Sequence, residues 1–235
     1  MKSDKVVRLD IKELKFDKNI FVKIMQIGLP AGVQSAVFAI ANIVIQSAIN
    51  SLGTVVIAAS SAAFNIEILA YYVLNSFSQA CTTFVGQNYG AGDVKRCKKT
   101  LILCLIEDAI ASASAIVLIL ICGKSLLSIF SSDPQVIEIG YTRLLLVFSA
   151  YTFTMLYENI SGYLRGFGIS LVPAILTIIG VCVVRVIWIY TVFPKSRTFS
   201  TIMMAYPISL SVTALLMFLA LMFYRPSKKY AAHEV

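Results

Sequence analysis

Along this chain the apolar positions fall in long blocks, not in the single stripe of a water-soluble helix or the alternation of a half-buried strand. Six blocks approach or exceed the ~20 residues that cross a bilayer core. They predict helices over about 32–51, 54–84, 99–122, 134–163, 171–193 and 200–223. Residues 20–29 read as an amphipathic approach to the first. Pro30 suits the opening turn of that helix, where its missing N–H costs nothing. The second block is longer than a bilayer requires and predicts a tilted or protruding helix. The expected fold is all-α and integral to the membrane, a six-helix bundle over 20–224. It is flanked by a charged segment at 1–19 and a basic tail at 225–235, and no internal repeat is evident.

The breaks between blocks have their own chemistry. Residues 78–99, SQACTTFVGQNYGAGDVKRCKK, close an apolar helix on Gly86, Gly90 and Gly92, then turn into a basic cluster. Glycine takes the φ > 0 conformations that end a helix, so all three are expected to serve that turn.

Polar residues inside the blocks recur at helical spacing. Ser35, Asn42 and Gln46 share one face of the first span, with Gln34 and Asn50 at its edges. Asn65, Tyr72, Ser76, Gln79 and Thr83 form a stripe on the second, and Tyr151, Thr154, Glu158, Ser161 and Arg165 one on the fourth. Unsatisfied polar atoms in hydrocarbon cost several kcal/mol, so these stripes face other helices or a watery cavity. Interhelical hydrogen bonding explains any one residue; three stripes together suggest a shared cavity.

Composition supports the membrane reading. Of 235 residues, 58% are hydrophobic and 14% charged, against roughly 25% charged in soluble domains. The net charge of +8 sits between the apolar blocks and reads as topology and lipid-headgroup attraction, not nucleic-acid binding. With the N-terminus inside, 15 of the 20 basic residues fall in inner segments. Both termini are therefore expected in the cytoplasm, in the plasma membrane. The charged start, with no adjacent apolar core, does not read as a signal peptide. Five cysteines without CxxC spacing and a single His233 in the tail offer no zinc site, and no Ser/His/Asp constellation exists, so an enzyme is not expected.

Charged residues within spans are costly and tend to be paired, protonated or functional. Glu107 and Asp108 are adjacent in the third span. Two such carboxylates at low dielectric do not both ionise readily, which suits proton handling; pairing of one with a basic residue of another chain serves equally. Arg143 is expected to pair locally or between helices with Glu138, and Arg185 to find a carboxylate there too. Glu67 and Glu158 stand alone in apolar helices and are the better functional candidates.

The segments IGLPAGVQSAVFAIANIVIQSAINSLGT (27–54), AFNIEILAYYVLNSFSQACTTFVGQNYGAGD (63–93) and NISGYLRGFGIS (159–170) resemble the second half of a multidrug and toxic compound extrusion (MATE) transporter. The resemblance implies one six-helix lobe of a twelve-helix antiporter, whose two lobes enclose a cavity opening alternately to each side. Amphipathic or cationic drugs would leave in exchange for H⁺ or Na⁺, with no cofactor. The partners implied are small molecules, membrane lipid, and an N-terminal lobe or a second copy. Gln34, Asn42, Gln46, Glu67, Gln79 and Glu158 are the cavity candidates. Gly86, Gln87, Gly90 and Asp93, with Arg165 and Gly166, would form matching inner turns. Some members carry acidic residues where this chain has Gln34 and Thr154. Two alternatives stand beside this reading. One is a flippase-like translocator of lipid-linked substrates, for which Arg143 and Arg185 are the basic candidates. The other is a truncated remnant that does not transport.

Overall fold

A computed structural model of the chain describes residues 16–226. The charged segment at 1–15 and the tail at 227–235, with His233, lie outside the described residues. Among those described, the chain is almost entirely helical and forms five helical stretches long and apolar enough to cross a membrane, plus one bent pair that makes a sixth if it is taken as one span.

Helix α1 runs Lys18–Asn50, capped by Asp17, whose carboxylate accepts from Asn19 N and Ile20 N. It is one continuous rod: residues 20–29 are not a separate element, and Pro30 lies inside the helix instead of starting it. Helix α2 (Thr54–Gly90) has 37 residues, about 55 Å at 1.5 Å per residue, well beyond a bilayer core of about 30 Å. Helix α3 (Val94–Ser128) likewise starts earlier and ends later than its apolar block. Polar ends extend helices past the hydrocarbon, which a hydropathy pattern does not register.

The fourth span is two helices, α4 (Pro134–Phe148) and α5 (Tyr151–Gly166), bent by 47° at the break between them. The fifth is α6 (Leu171–Thr177), a π-helical stretch (Ile178–Val183) and α7 (Val184–Thr191). The sixth is α8 (Phe199–Met203) and α9 (Ala205–Tyr224).

The turn at 91–93 explains its motif in physical terms. Gly86 and Gly90 are helical members of α2, and only Gly92, at φ +78°, takes the left-handed conformation. Asp93 then caps α3 by accepting from Arg96 N at 2.9 Å. One glycine stops a helix and the next residue starts another.

Helix α2 is the spine, packed along α3, α4 and α5. Its tightest seam is glycine-made. Gly162 and Gly166 of α5 lie four apart on one face, and a Cβ at either would strike Ser78 and Thr82, or Val85 and Thr82, of α2. Small residues at this spacing let membrane helices approach closely. Helix α5 is buried on nearly every side although it is the most polar of the spans, because it lies between α2, α3 and α9. Conversely, α1 and α3 show long rows of exposed apolar side chains, among them Ile24, Ile40, Ile43, Ile106, Ile110, Leu118 and Ile121, as lipid-facing helices do.

Candidate functional site

Helices α1, α2, α5, α7 and α9 surround a cavity of about 570 Å³. Its α2 wall is a ladder at strict i, i+4 spacing, Glu67, Tyr71, Asn75 and Gln79. Facing it, α5 contributes Tyr151, Thr154, Tyr157, Glu158 and Arg165, while α1 brings Gln34, Ser35 and Asn42. Arg185 of α7 and Tyr206 of α9 complete the lining. Of the six cavity candidates, Gln34, Asn42, Glu67, Gln79 and Glu158 meet here. Gln46 instead lines a neighbouring cavity of about 370 Å³, shared with Asn42, Arg143 and Tyr206.

The polar network is specific. Tyr71 OH donates to Glu158 Oε1 at 3.4 Å, and Asn75 Nδ2 donates to Tyr71 OH at 3.4 Å. Ser78 Oγ donates to the Glu158 carbonyl at 2.8 Å, fixing the backbone of that turn of α5. Arg165 is not confined to the turn after α5. It sits in the helix's last turn, lines the cavity, and donates from Nη2 to Gln34 Oε1 at 3.0 Å, tying α5 to α1. Thr154 Oγ1 is buried without a hydrogen-bond partner among the described residues.

Glu67 does not stand alone. Arg143 donates to its Oε2 from Nε at 3.0 Å and Nη2 at 2.8 Å, and from Nη1 to Ser60 Oγ at 2.8 Å. The guanidinium also lies 5.5 Å from the Phe64 ring and 5.6 Å from Tyr206. Arg143 thus pairs with α2, not with Glu138, its neighbour on α4; Glu138 meets Lys124 at the exposed rim instead. Five residues along a helix put Glu138 and Arg143 on different faces, and the buried face won Arg143. Arg185 has no carboxylate within ion-pair distance among the described residues. Its Nε donates to Ser209 Oγ at 3.0 Å and its guanidinium lies 4.1 Å from the Tyr206 ring.

The adjacent carboxylates of α3 part ways. Asp108 is fully buried, accepting from Ser112 Oγ at 2.6 Å and from Asn159 Nδ2, whereas Glu107 is exposed. Consecutive helical residues point about 100° apart, so the two do not share a site. Neither lines the cavity. On α2, Tyr72, Ser76 and Thr83 are exposed, and Ser76 and Thr83 bond their own helix, at Val73 O and Gln79 O. Of the expected α2 stripe only Gln79 lines this cavity, with Glu67, Tyr71 and Asn75 beside it, and Asn65 lines the neighbouring one. Gly86 and Gly166 meet at the α2–α5 seam, while Gln87 is exposed beside it. Sequence reasoning missed Tyr71, Asn75 and Tyr206; the i, i+4 run from Glu67 held the signal for the first two.

Against known proteins, the family model described as MatE matches residues 30–191. A "Probable multidrug resistance protein NorM" of Chromobacterium violaceum is 30% identical over 159 residues, covering 67% of this chain and 34% of that protein. A "Probable multidrug resistance protein YoeA" of Bacillus subtilis is 24% identical over 217 residues, 92% of this chain and 46% of that protein. A solved structure, "Crystal structure of MATE in complex with MaL6", superposes with a TM-score of 0.85 at 19% identity, over 96% of this chain and 52% of that one. The chain spans about half the length of these relatives, or less.

Proposed function

This chain belongs to the MatE family, and from that premise we propose that it forms one lobe of an exporter of drugs and other amphipathic, cationic compounds, driven by exchange for H⁺ or Na⁺. The carrying observation is the cavity between α1, α2, α5, α7 and α9, with Glu158 buried in its wall opposite the polar ladder of α2. A carboxyl held by the hydroxyls of Tyr71, at 3.4 Å, and Tyr157, beside a cavity, can exchange these neutral partners for a proton or a cationic ligand. Loss and gain of that charge is the coupling step we assign to it. Glu67, clamped by Arg143, fixes the wall instead.

The proposed export needs a second lobe, either an N-terminal six-helix partner or a second copy of this chain, set against the exposed polar face of α1 and closing the cavity. The basic ends of the helices would lie in the cytoplasm, with both termini, in the plasma membrane. Neutralisation of Arg143 by Glu67 removes one of the three guanidinium groups around the cavities that a lipid-phosphate translocator would want, which favours the drug-export reading.

The test is drug accumulation in cells expressing the assembled transporter with Glu158→Gln. Export is expected to fall at least about tenfold, the effect of one lost charge-assisted contact, while the protein inserts at normal levels. Undiminished resistance at equal expression would reject the assignment. Reconstituted alone as a monomer, the chain is expected to show no ion-driven export.

A further inference from the structure

Among the described residues, Arg185 is the one guanidinium lining the cavity that neither meets a carboxylate nor ties two helices through an amide. Three guanidinium groups, on Arg143, Arg165 and Arg185, stand around the two cavities against two carboxylates, on Glu67 and Glu158. Arg143 is spent on Glu67, and Arg165 reaches Gln34. Arg185 is only 6% exposed. Apart from the Ser209 hydroxyl, its fork of N–H donors has no hydrogen-bond partner among the described residues.

The fold aims this side chain deliberately. The π-helical stretch Ile178–Val183 directly precedes α7, and each π turn adds one residue, turning everything after it by about 100° relative to an uninterrupted α-helix. Gly180 within that stretch leaves no room for a Cβ against Thr213 of α9, so α7 is drawn onto α9. There Ser209 receives Nε, and the Tyr206 ring lies flat enough for a 4.1 Å cation–π contact. With Nε and one face occupied, the Nη edge is what remains for the cavity. A planar fork of donors, preorganised and partly desolvated, matches a carboxylate or phosphate.

We propose that Arg185 is an anion-recognising subsite of this cavity. It takes the carboxylate or phosphate of an amphipathic molecule whose apolar or cationic body lies against Phe38 and Phe64, towards Glu158. The assignment rests on the reading of the cavity as the substrate chamber and narrows it: molecules bearing both charges are favoured over simple cations.

Two dyes isolate the point. Rhodamine 110 carries a free carboxylate, and rhodamine 123 is its methyl ester. Binding of each to the purified chain in phosphatidylcholine nanodiscs is measured by fluorescence anisotropy. The wild type is expected to bind rhodamine 110 at least about tenfold more tightly, as one charge-assisted pair allows. Arg185→Gln is expected to remove that preference by weakening rhodamine 110 alone. Arg185→Lys is expected to keep part of it, having the charge without the fork. Equal affinity of the wild type for both dyes, or equal weakening of both by Arg185→Gln, overturns the subsite and leaves the chamber standing. Binding of neither dye by the wild type overturns the chamber and the subsite together. If Arg185→Gln binds neither dye, the Lys variant decides: a retained preference supports the subsite, and none overturns it. Repeating the titration in dodecyl maltoside micelles, which contain no phosphate, separates the anion's source. A preference that appears or grows several-fold in the micelles assigns the site to a lipid headgroup phosphate competing in the nanodisc, and one that is unchanged assigns it to a soluble substrate's carboxylate.

Discussion

Removing either partner of the Glu67–Arg143 pair strands a charge inside the bundle. The two side chains are 11% and 4% exposed, and two N–H groups of Arg143 converge on one carboxylate oxygen at 2.8 and 3.0 Å. Breaking a buried pair of this kind costs about 3–5 kcal/mol, because the remaining ion keeps its desolvation penalty and loses its compensation. At roughly 2–4 °C per kcal/mol for a chain of this size, Glu67→Gln is expected to lower the melting temperature by about 6–20 °C. Arg143→Met is expected to do the same. The double variant leaves no unpaired charge and is expected to recover most of the loss, since uncharged groups of similar volume replace such pairs at little net cost. Melting of detergent-solubilised protein, followed by gel filtration after heating, gives the four values of the cycle. Glu138→Gln is the control: its pair with Lys124 is more than half exposed and should change stability by less than about 1 kcal/mol. Additive single effects, or a Glu67→Gln penalty no larger than that of Glu138→Gln, would refute the account of Glu67 as a buried strut. The cycle also separates strut from transport group, because a strut lowers export only in proportion to the protein left folded.

Other outcomes follow from the same geometry. Gly162→Ala puts a methyl group against Ser78 O, Ser78 Oγ and Thr82 Oγ1 at the α2–α5 seam, and is expected to cost about 1–3 kcal/mol by overpacking; an unchanged melting point would show that the seam opens freely. Asp108→Leu leaves the Ser112 hydroxyl without its acceptor and takes one of two acceptors from the Asn159 amide, which keeps Met155 O, and is expected to cost about 1–3 kcal/mol. Asp108→Asn can still accept from Asn159 and donate to Ser112, so it should stay within about 1 kcal/mol of wild type by the same melt, and a loss as large as that of Leu would show that the negative charge itself is required.

How much of this was legible in the sequence depends on which physical property carried each feature. The six spans were legible because hydrocarbon selects for length and apolarity, and both are written locally. The bend at 149–150 and the π-helical stretch were not. No proline marks either, and Pro30, which the pattern took as a helix start, lies within an unbroken α1. Where a helix breaks here depends on what packs beside it, such as Gly180 on Thr213. Ion pairs were legible as a need and not as a choice. Burial demanded a partner for Arg143, and only the fold decided that it was Glu67, 76 residues away, and not Glu138.

The polar stripes show the sharpest limit, and it bears on function. Spacing picked out polar stripes on α1, α2 and α5, yet a hydroxyl or amide in a helix can turn back to its own carbonyls. Ser35 bonds Ala31 O, Asn65 bonds Ser61 O, Thr83 bonds Gln79 O and Asn88 bonds Phe84 O. Side chains satisfied in this way can face any direction, including lipid, so the period alone does not separate them from cavity residues. Those that reach another helix are the discriminating ones: Tyr71 to Glu158, Ser78 to the Glu158 carbonyl, Arg165 to Gln34. All three converge on the two helices or the residue pair that wall the cavity. On α1, by contrast, Asn42 and Gln46 are exposed, and the Gln46 amide donates only to Asn50 on the same helix. An amide pair left open at the edge of a cavity still has acceptor and donor capacity to give. On the proposed two-lobe reading, that edge of α1 is where a facing lobe would find its polar contacts.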